Sequence, residues 1–303
     1  MDRMNIILLG TGGPKPDPNR QGPSLAVQVD SSVLLFDAGR GASTQLARAG
    51  ISVRDVDPIF ITHHHFDHIG NLGDIILSSW NLGRKTTLAI YGPQGTEAIV
   101  DTLLNNVYKR DIAFRQKEAE VSGVALADIR KIVNTKDVNP GLVFAEKRIK
   151  VYCEFVEHGH GLGIPQADWK CLVYRIEAES KSVTISGDAV DCQGLDFLAK
   201  NTDALVMCCY LSKKELVDRE GDLAGNHIIA CTPQAGKIAS KAKTKKLILT
   251  HIREKSNDLM KDLVDEIRAD YDGEIIAGKD LMDSNLKKNK KLKIESVQHS
   301  VFM

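Results

Sequence analysis

Long apolar runs are missing from this 303-residue sequence. None reaches the roughly 18 apolar residues that a membrane-crossing helix needs, so no membrane partner is expected. The N-terminal run Asn5 to Leu9 is too short for a signal-peptide core and enters a glycine turn directly, which makes it a first strand. Excess charge is missing too, since 40 Lys and Arg are matched by 40 Asp and Glu. Bulk charge therefore draws the chain toward neither nucleic acid nor an anionic surface. The six cysteines, Cys153, Cys171, Cys192, Cys208, Cys209 and Cys231, form no C-x-x-C pair. Buried free thiols of a cytoplasmic protein are the expectation, with no chemistry assigned to Cys208-Cys209. Neither a repeat nor a linker-like stretch divides the chain, which leaves one domain over 1–283 and a basic tail over 284–303.

What is present is apolar patterning of two kinds. Short branched runs predict strands at Asn5–Leu9, Ser24–Asp30, Ser32–Asp37, Pro58–Thr62 and Thr87–Tyr91. Further strands are expected near 142–156, 171–177, 181–187, 203–209, 245–250 and 274–277. Helical spacing is found at Gly41–Ala49, Asn71–Leu82, Gly95–Val107, 194–200, 232–242 and Ser256–Ala269. Residues 109–141 are the least legible, and a substrate lid or a dimer contact is expected of them. Two blocks of strands, each followed by helices, predict two sheets packed face to face with helices outside, a four-layer α/β/β/α sandwich. The tail, with Lys287-Lys288 and Lys290-Lys291, reads as a solvated end; a nucleic-acid contact is the sharper alternative.

The chemistry gathers in Thr62-His63-His64-His65-Phe66-Asp67-His68, directly after a buried strand. In an extended loop His63 and His65 point to one side, His64 points away, and Asp67 and His68 then turn the other way. Imidazole and carboxylate are donors for zinc, which usually takes four ligands. Four such residues can serve two adjacent metals but complete neither. Three singletons stand in the same position at strand ends: His158 after Val156-Glu157, Asp188 after Ser186-Gly187, and His251 after Leu249-Thr250. His160 competes with His158 for its role. Gly12-Gly13 could offer N–H groups to an anion or simply make a tight turn.

The order H-x-H-x-D-H, His-Gly, Ser-Gly-Asp and Leu-Thr-His resembles the metallo-β-lactamase superfamily over about residues 5 to 282. Within it, Gly10-Thr11-Gly12-Gly13-Pro14, Tyr91-Gly92-Pro93, His227 and Thr232 to Gly236 are similar to the ribonuclease Z and arylsulfatase-like branch. The resemblance implies the four-layer sandwich and two zinc ions, with manganese or iron acceptable to the same donors. It implies that His63, His65 and His158 hold one metal, that Asp67, His68 and His251 hold the other, and that Asp188 bridges them. A metal-bridging hydroxide would attack an anionic ester, oriented by Asp67, and His227 would protonate the departing oxygen.

Substrate is less determined. Tyr174-Arg175-Ile176 reaches Ser186-Gly187-Asp188 through only a tight hairpin, where tRNA-processing members of that branch carry a long glycine-proline-rich arm. The expectation is hydrolysis of a small-molecule phosphodiester or sulfate ester. Nucleic acid is a less favoured partner, and a homodimer follows from the resemblance alone. tRNA 3′ processing, β-lactam or lactone opening, and a non-catalytic metal-binding role are the alternatives.

Overall fold

The computed structural model describes residues 4–217 and 219–286. Its strands, in chain order, are β1 (Met4–Gly10), β2 (Ser24–Val29), β3 (Ser32–Phe36), β4 (Val56–Phe60), β5 (Leu88–Gly92), β6 (Val133–Asp137), β7 (Gly141–Glu146), β8 (Ile149–Phe155), β9 (Leu172–Ala178), β10 (Lys181–Ile185), β11 (Ala204–Cys208), β12 (Lys246–Thr250), β13 (Glu274–Ala277) and β14 (Asp283–Asn285). One sheet runs β14-β1-β2-β3-β4-β5-β6 and the other β13-β12-β11-β10-β9-β8-β7.

Alternation along each strand explains the layers. In β1, Ile6 and Leu8 face the core between the sheets, while Ile7 and Leu9 face the outer helices. In β12, Ile248 faces inward while Leu247 and Leu249 meet the helices on the other flank. Both faces of these strands are buried, so they read as continuous apolar runs instead of alternating ones. Helices Ala42–Arg48 and Leu72–Asn81 cover the first sheet through Leu46, Ile75, Ile76 and Trp80. Helices Thr232–Ala242 and Asn257–Arg268 cover the second through Ile238, Leu263 and Ile267. The α/β/β/α sandwich is therefore as expected.

Three details differ from the sequence reading. The strand expected at Pro58–Thr62 spans Val56–Phe60, so Ile61 and Thr62 already belong to the loop that carries the histidines. The stretch 109–141 holds a helix, Lys109–Val121, and the edge strand β6. That helix buries only Ile112 and Ala119, too few apolar positions to show a clear period. The tail assigned to 284–303 begins inside β14, where Ser284 pairs with Ile6 of β1; the basic run from Lys287 lies outside the described residues.

The entry into β4 is held by one buried cation. Arg84 donates to Val56 O at 2.6 Å and to Val53 O and Thr87 O at 3.2 Å each. Arg84→Met should leave three carbonyls without this donor and lower unfolding free energy by about 3 kcal/mol. Urea denaturation measures it, and a loss below roughly 0.5 kcal/mol would remove Arg84 from this role.

Candidate metal centre

The candidate ligands stand at the C-terminal ends of strands from both sheets. β4 lies between β3 and β5, and the chain leaves it through Thr62 into His63. This exit is fixed by Asp37, whose two carboxylate oxygens accept from Thr62 N and Thr62 Oγ1, each at 2.8 Å. His63 and His65 then fall on one side, with His63 Nε2 3.0 Å from His65 Nδ1. His65 begins the short helix Phe66–Ile69, and its turn carries Asp67 and His68 in another direction. From the second sheet come His158 after β8, Asp188 after β10 and His251 after β12.

Two donor groups result. Ligand-type atoms of His63, His65, His158 and Asp188 lie within 4.8 Å of one another, as do those of Asp67, His68 and His251. Asp188 faces both groups. Its Oδ2 is 3.9 Å from His63 Nε2, 4.0 Å from His158 Nε2 and 3.2 Å from His251 Nε2, and its Oδ1 is 3.4 Å from His68 Nε2. All seven residues selected from sequence are thus brought together. His160 is not among them: its Nδ1 accepts from His158 N and its Nε2 donates to Trp169 O. His64 points away to Thr96 Oγ1.

Outer partners fix which nitrogen faces the centre. His68 Nδ1 donates to Asp37 Oδ2 at 2.8 Å, and His158 Nδ1 donates to Ile228 O. Thr62 Oγ1 gives its proton to Asp37, so it accepts from His63 Nδ1 at 3.0 Å. One carboxylate therefore orients a histidine in each group, directly or through a hydroxyl. Such partners raise ligand basicity and hold ring orientation. Asp37 adopts φ +57° and His251 φ +53°, left-handed conformations that cost about 1–3 kcal/mol each away from glycine. The sequence reading missed Asp37, although it carries the same signal as the ligands, a carboxylate just past a buried strand. It also assigned nothing to Cys208, whose thiol donates to Asp188 Oδ1 at 3.0 Å.

The donor set fits a divalent metal. Asp67 Oδ2, His68 Nε2 and both ring nitrogens of His251 are buried without a hydrogen-bond partner. Buried polar atoms are rarely left so, and a bound ion is a standard reason. Charge is divided unequally between the groups. Burial, then the neighbouring His68, holds His63 far below the ordinary histidine range. Burial, then His158, brings His65 down to about 4. Burial opposes charge on His251 and His68 as well, but Asp188 outweighs it, raising His251 to about 9 and His68 well above its usual value. Asp188, despite burial, is held well below the carboxylate range by His251 and His68.

Gly13 lies so close that a Cβ there would stand 2.8 Å from His251 Cε1, which explains glycine at that position. The anion-binding role considered for Gly12 is not met, because its N–H donates to Gln21 O. His227 sits beside the turn that follows His158: Gly159 N donates to its carbonyl, and its ring packs against Gly161.

Residues 4–212 match the family model described as anti-Pycsar protein Apyc1. Ribonuclease Z of Mycobacterium avium (strain 104) is 31% identical over 257 residues, covering 82% of this chain and 85% of that protein. Among solved structures, the metallo-β-lactamase fold protein YhfI from Bacillus subtilis superposes with TM-score 0.71 at 19% identity, over 94% of this chain and all of that one. The short form of human tRNase Z superposes with TM-score 0.67 at 21% identity over the same shares.

Proposed function

Because this chain belongs to the metallo-β-lactamase superfamily, in its ribonuclease Z branch and the family of anti-Pycsar protein Apyc1, we propose that this metal-dependent hydrolase is a two-metal phosphodiesterase acting on small phosphodiesters of the nucleotide kind. The observation that carries the reading is the seven-residue centre, in which Asp188 faces both donor groups. His63, His65, His158 and Asp188 would hold one ion, and Asp67, His68, His251 and Asp188 the other. Two divalent ions in such a site supply an activated water and neutralise charge on the phosphoryl oxygens.

The chain's own residues do the rest. Asp67 and Asp188 add negative charge that limits the centre to a modest net positive value, which suits a singly charged diester. His65 is the solvent-exposed member of the centre and marks where the ester enters. His227, beside the turn that carries His158, is the proposed donor of a proton from its ring nitrogen to the departing oxygen. Six free thiols suit a reducing, cytoplasmic setting. No helix among the described residues is long and apolar enough to cross a membrane.

A nucleotide-type diester is favoured over a sulfate ester by the likeness to proteins named ribonuclease Z. That name also favours a second reading, tRNA 3′ processing. Against it, β9 and β10 are joined through Glu179 and Ser180 alone, leaving no gripping arm there. Turnover of bis-p-nitrophenyl phosphate, p-nitrophenyl sulfate, a dinucleotide and a tRNA precursor decides between them. The expected order is both small diesters at least about a hundredfold over the sulfate, with no preference for the precursor. Cleavage of the precursor with neither small diester hydrolysed would give the reading to tRNA processing.

A further inference from the structure

We propose that an apolar shelf beside His65 and His158 binds a planar aromatic group carried by the substrate ester, with Trp169 as its stacking face and His160 as the positioning residue that holds Trp169 there. The proposal rests on the phosphodiesterase reading for the kind of ester, and on the shelf itself for the kind of group.

A cleft of about 560 Å³ is walled by His65, Phe66, His158, Leu162, Ile164 and Trp169. Phe66 is 62% exposed, Leu162 48% and Ile164 42%. Single exposed apolar side chains are ordinary, but several lining one cleft mark a binding surface. Here the same cleft includes two of the candidate metal ligands, so whatever fills it is attached to, or lies against, the group being hydrolysed. The indole ring of Trp169 lies 4.8 Å from the His65 ring, tilted by 39°. Phe66 carries the Arg40 guanidinium 5.9 Å above its ring, and Arg40 is anchored on Gly13 O. Aromatic faces of this kind reward a flat, polarizable occupant more than an alkyl chain.

The other flank of the centre differs in chemistry. Gly13 and Tyr210, both beside His251, open on a cleft of about 540 Å³ lined by charges of both signs, Lys15 and Arg253 with Asp17 and Glu254, while Lys255 is paired with Glu215. A phosphodiester has two organic arms, and the two flanks sort them: the flat arm toward Trp169, the polar arm toward this charged cleft.

His160 acquires its role from this arrangement. Its Nδ1 accepts from His158 N at 3.0 Å, and its Nε2 donates to Trp169 O at 2.7 Å. The ring is thus a strap between the backbone of a candidate ligand and the residue that carries the shelf. Gly159 at φ +81° and Gly163 at φ +89° give the short turn that lets His160 reach back. The segment between them and Trp169 is otherwise exposed; Trp169 N also donates to Pro165 O, and its ring meets those of His63, His65 and His158, so His160 shares the positioning with these contacts.

The test is equilibrium binding, by titration calorimetry on metal-loaded protein, of methylphosphonate, phenylphosphonate and a uridine 5′-phosphonate. Wild type is expected to bind at least one flat probe about tenfold more tightly than methylphosphonate. Preference for both flat probes identifies an aryl face as sufficient; preference for the uridine probe alone identifies a nucleobase. Trp169→Ala should reduce the preference to about twofold, Trp169→Phe should keep most of it, and His160→Ala should lose it in part. Phe66→Ala, at an exposed position, gives an independent reading, with about a threefold loss expected. Equal binding of all three probes to wild type, or a preference that survives Trp169→Ala, overturns the shelf. Absence of diester turnover with the preference intact would overturn the phosphodiesterase reading and leave the shelf standing.

Discussion

Asp188→Ala is expected to lower turnover of bis-p-nitrophenyl phosphate by roughly 10²–10⁴-fold and to weaken metal binding at both donor groups. The size follows from position. Loss of a residue that merely orients a ligand typically costs about 10–100-fold, and Asp188 faces two groups, so the effect should apply twice. In the metal-free protein its charge also faces His68 and His251, both protonated against it, so the variant should be less stable as well. His64→Ala is the control. It lies between two candidate ligands in sequence but turns to Thr96, and its loss should change turnover only a few-fold. Comparable losses in the two variants would mean that proximity to the cluster, and not a place facing both donor groups, sets the effect.

The second large effect is a difference in pH dependence between the two ions. His63, His65 and His158 are all held neutral, mainly by burial, so an ion entering their group displaces few protons. His251, raised to about 9, and His68, also raised, must each give up a proton when an ion enters the other group. Affinity at that group should rise with pH by up to about 100-fold per unit while two protons are displaced, and less steeply once pH passes the His251 value of about 9. The sign for the metal-free fold is opposite. A histidine whose folded pKa lies above its unfolded value near 6.5 stabilises fully below that value, and the stabilisation fades as pH rises through about 9. For His251 alone this is about 3 kcal/mol. The gain in Tm on adding metal should therefore grow from pH 6.5 to 9, with competition against a chromophoric chelator resolving two ions of unequal pH slope. Two ions with the same slope would contradict the division of charge.

Much of this centre was legible because its signal is local and repeated. A donor residue directly after a buried strand appears at His63, His158, Asp188 and His251, and strand order carries these positions to one edge. Asp37 follows the same rule but lacks a neighbouring cluster, and only the parallel pairing of β3 with β4 shows that it receives both Thr62 and His68. The competition between His158 and His160 could not be resolved from spacing, because two residues apart in a turn face different partners only once Trp169 is in place. The helix Lys109–Val121 stayed hidden for another reason: it packs through so few apolar residues that its period is lost among charges. β14 is three residues long and gains its strand character from pairing with β1, which no local pattern announces.

The most direct test of the proposed two-metal centre is elemental analysis of wild type and Asp188→Ala after dialysis, each assayed with bis-p-nitrophenyl phosphate. The account predicts about two divalent ions per wild-type chain and a sharp loss of both metal and turnover in the variant. One ion or none in an active wild type, or a variant that keeps its full complement and its rate, would contradict it.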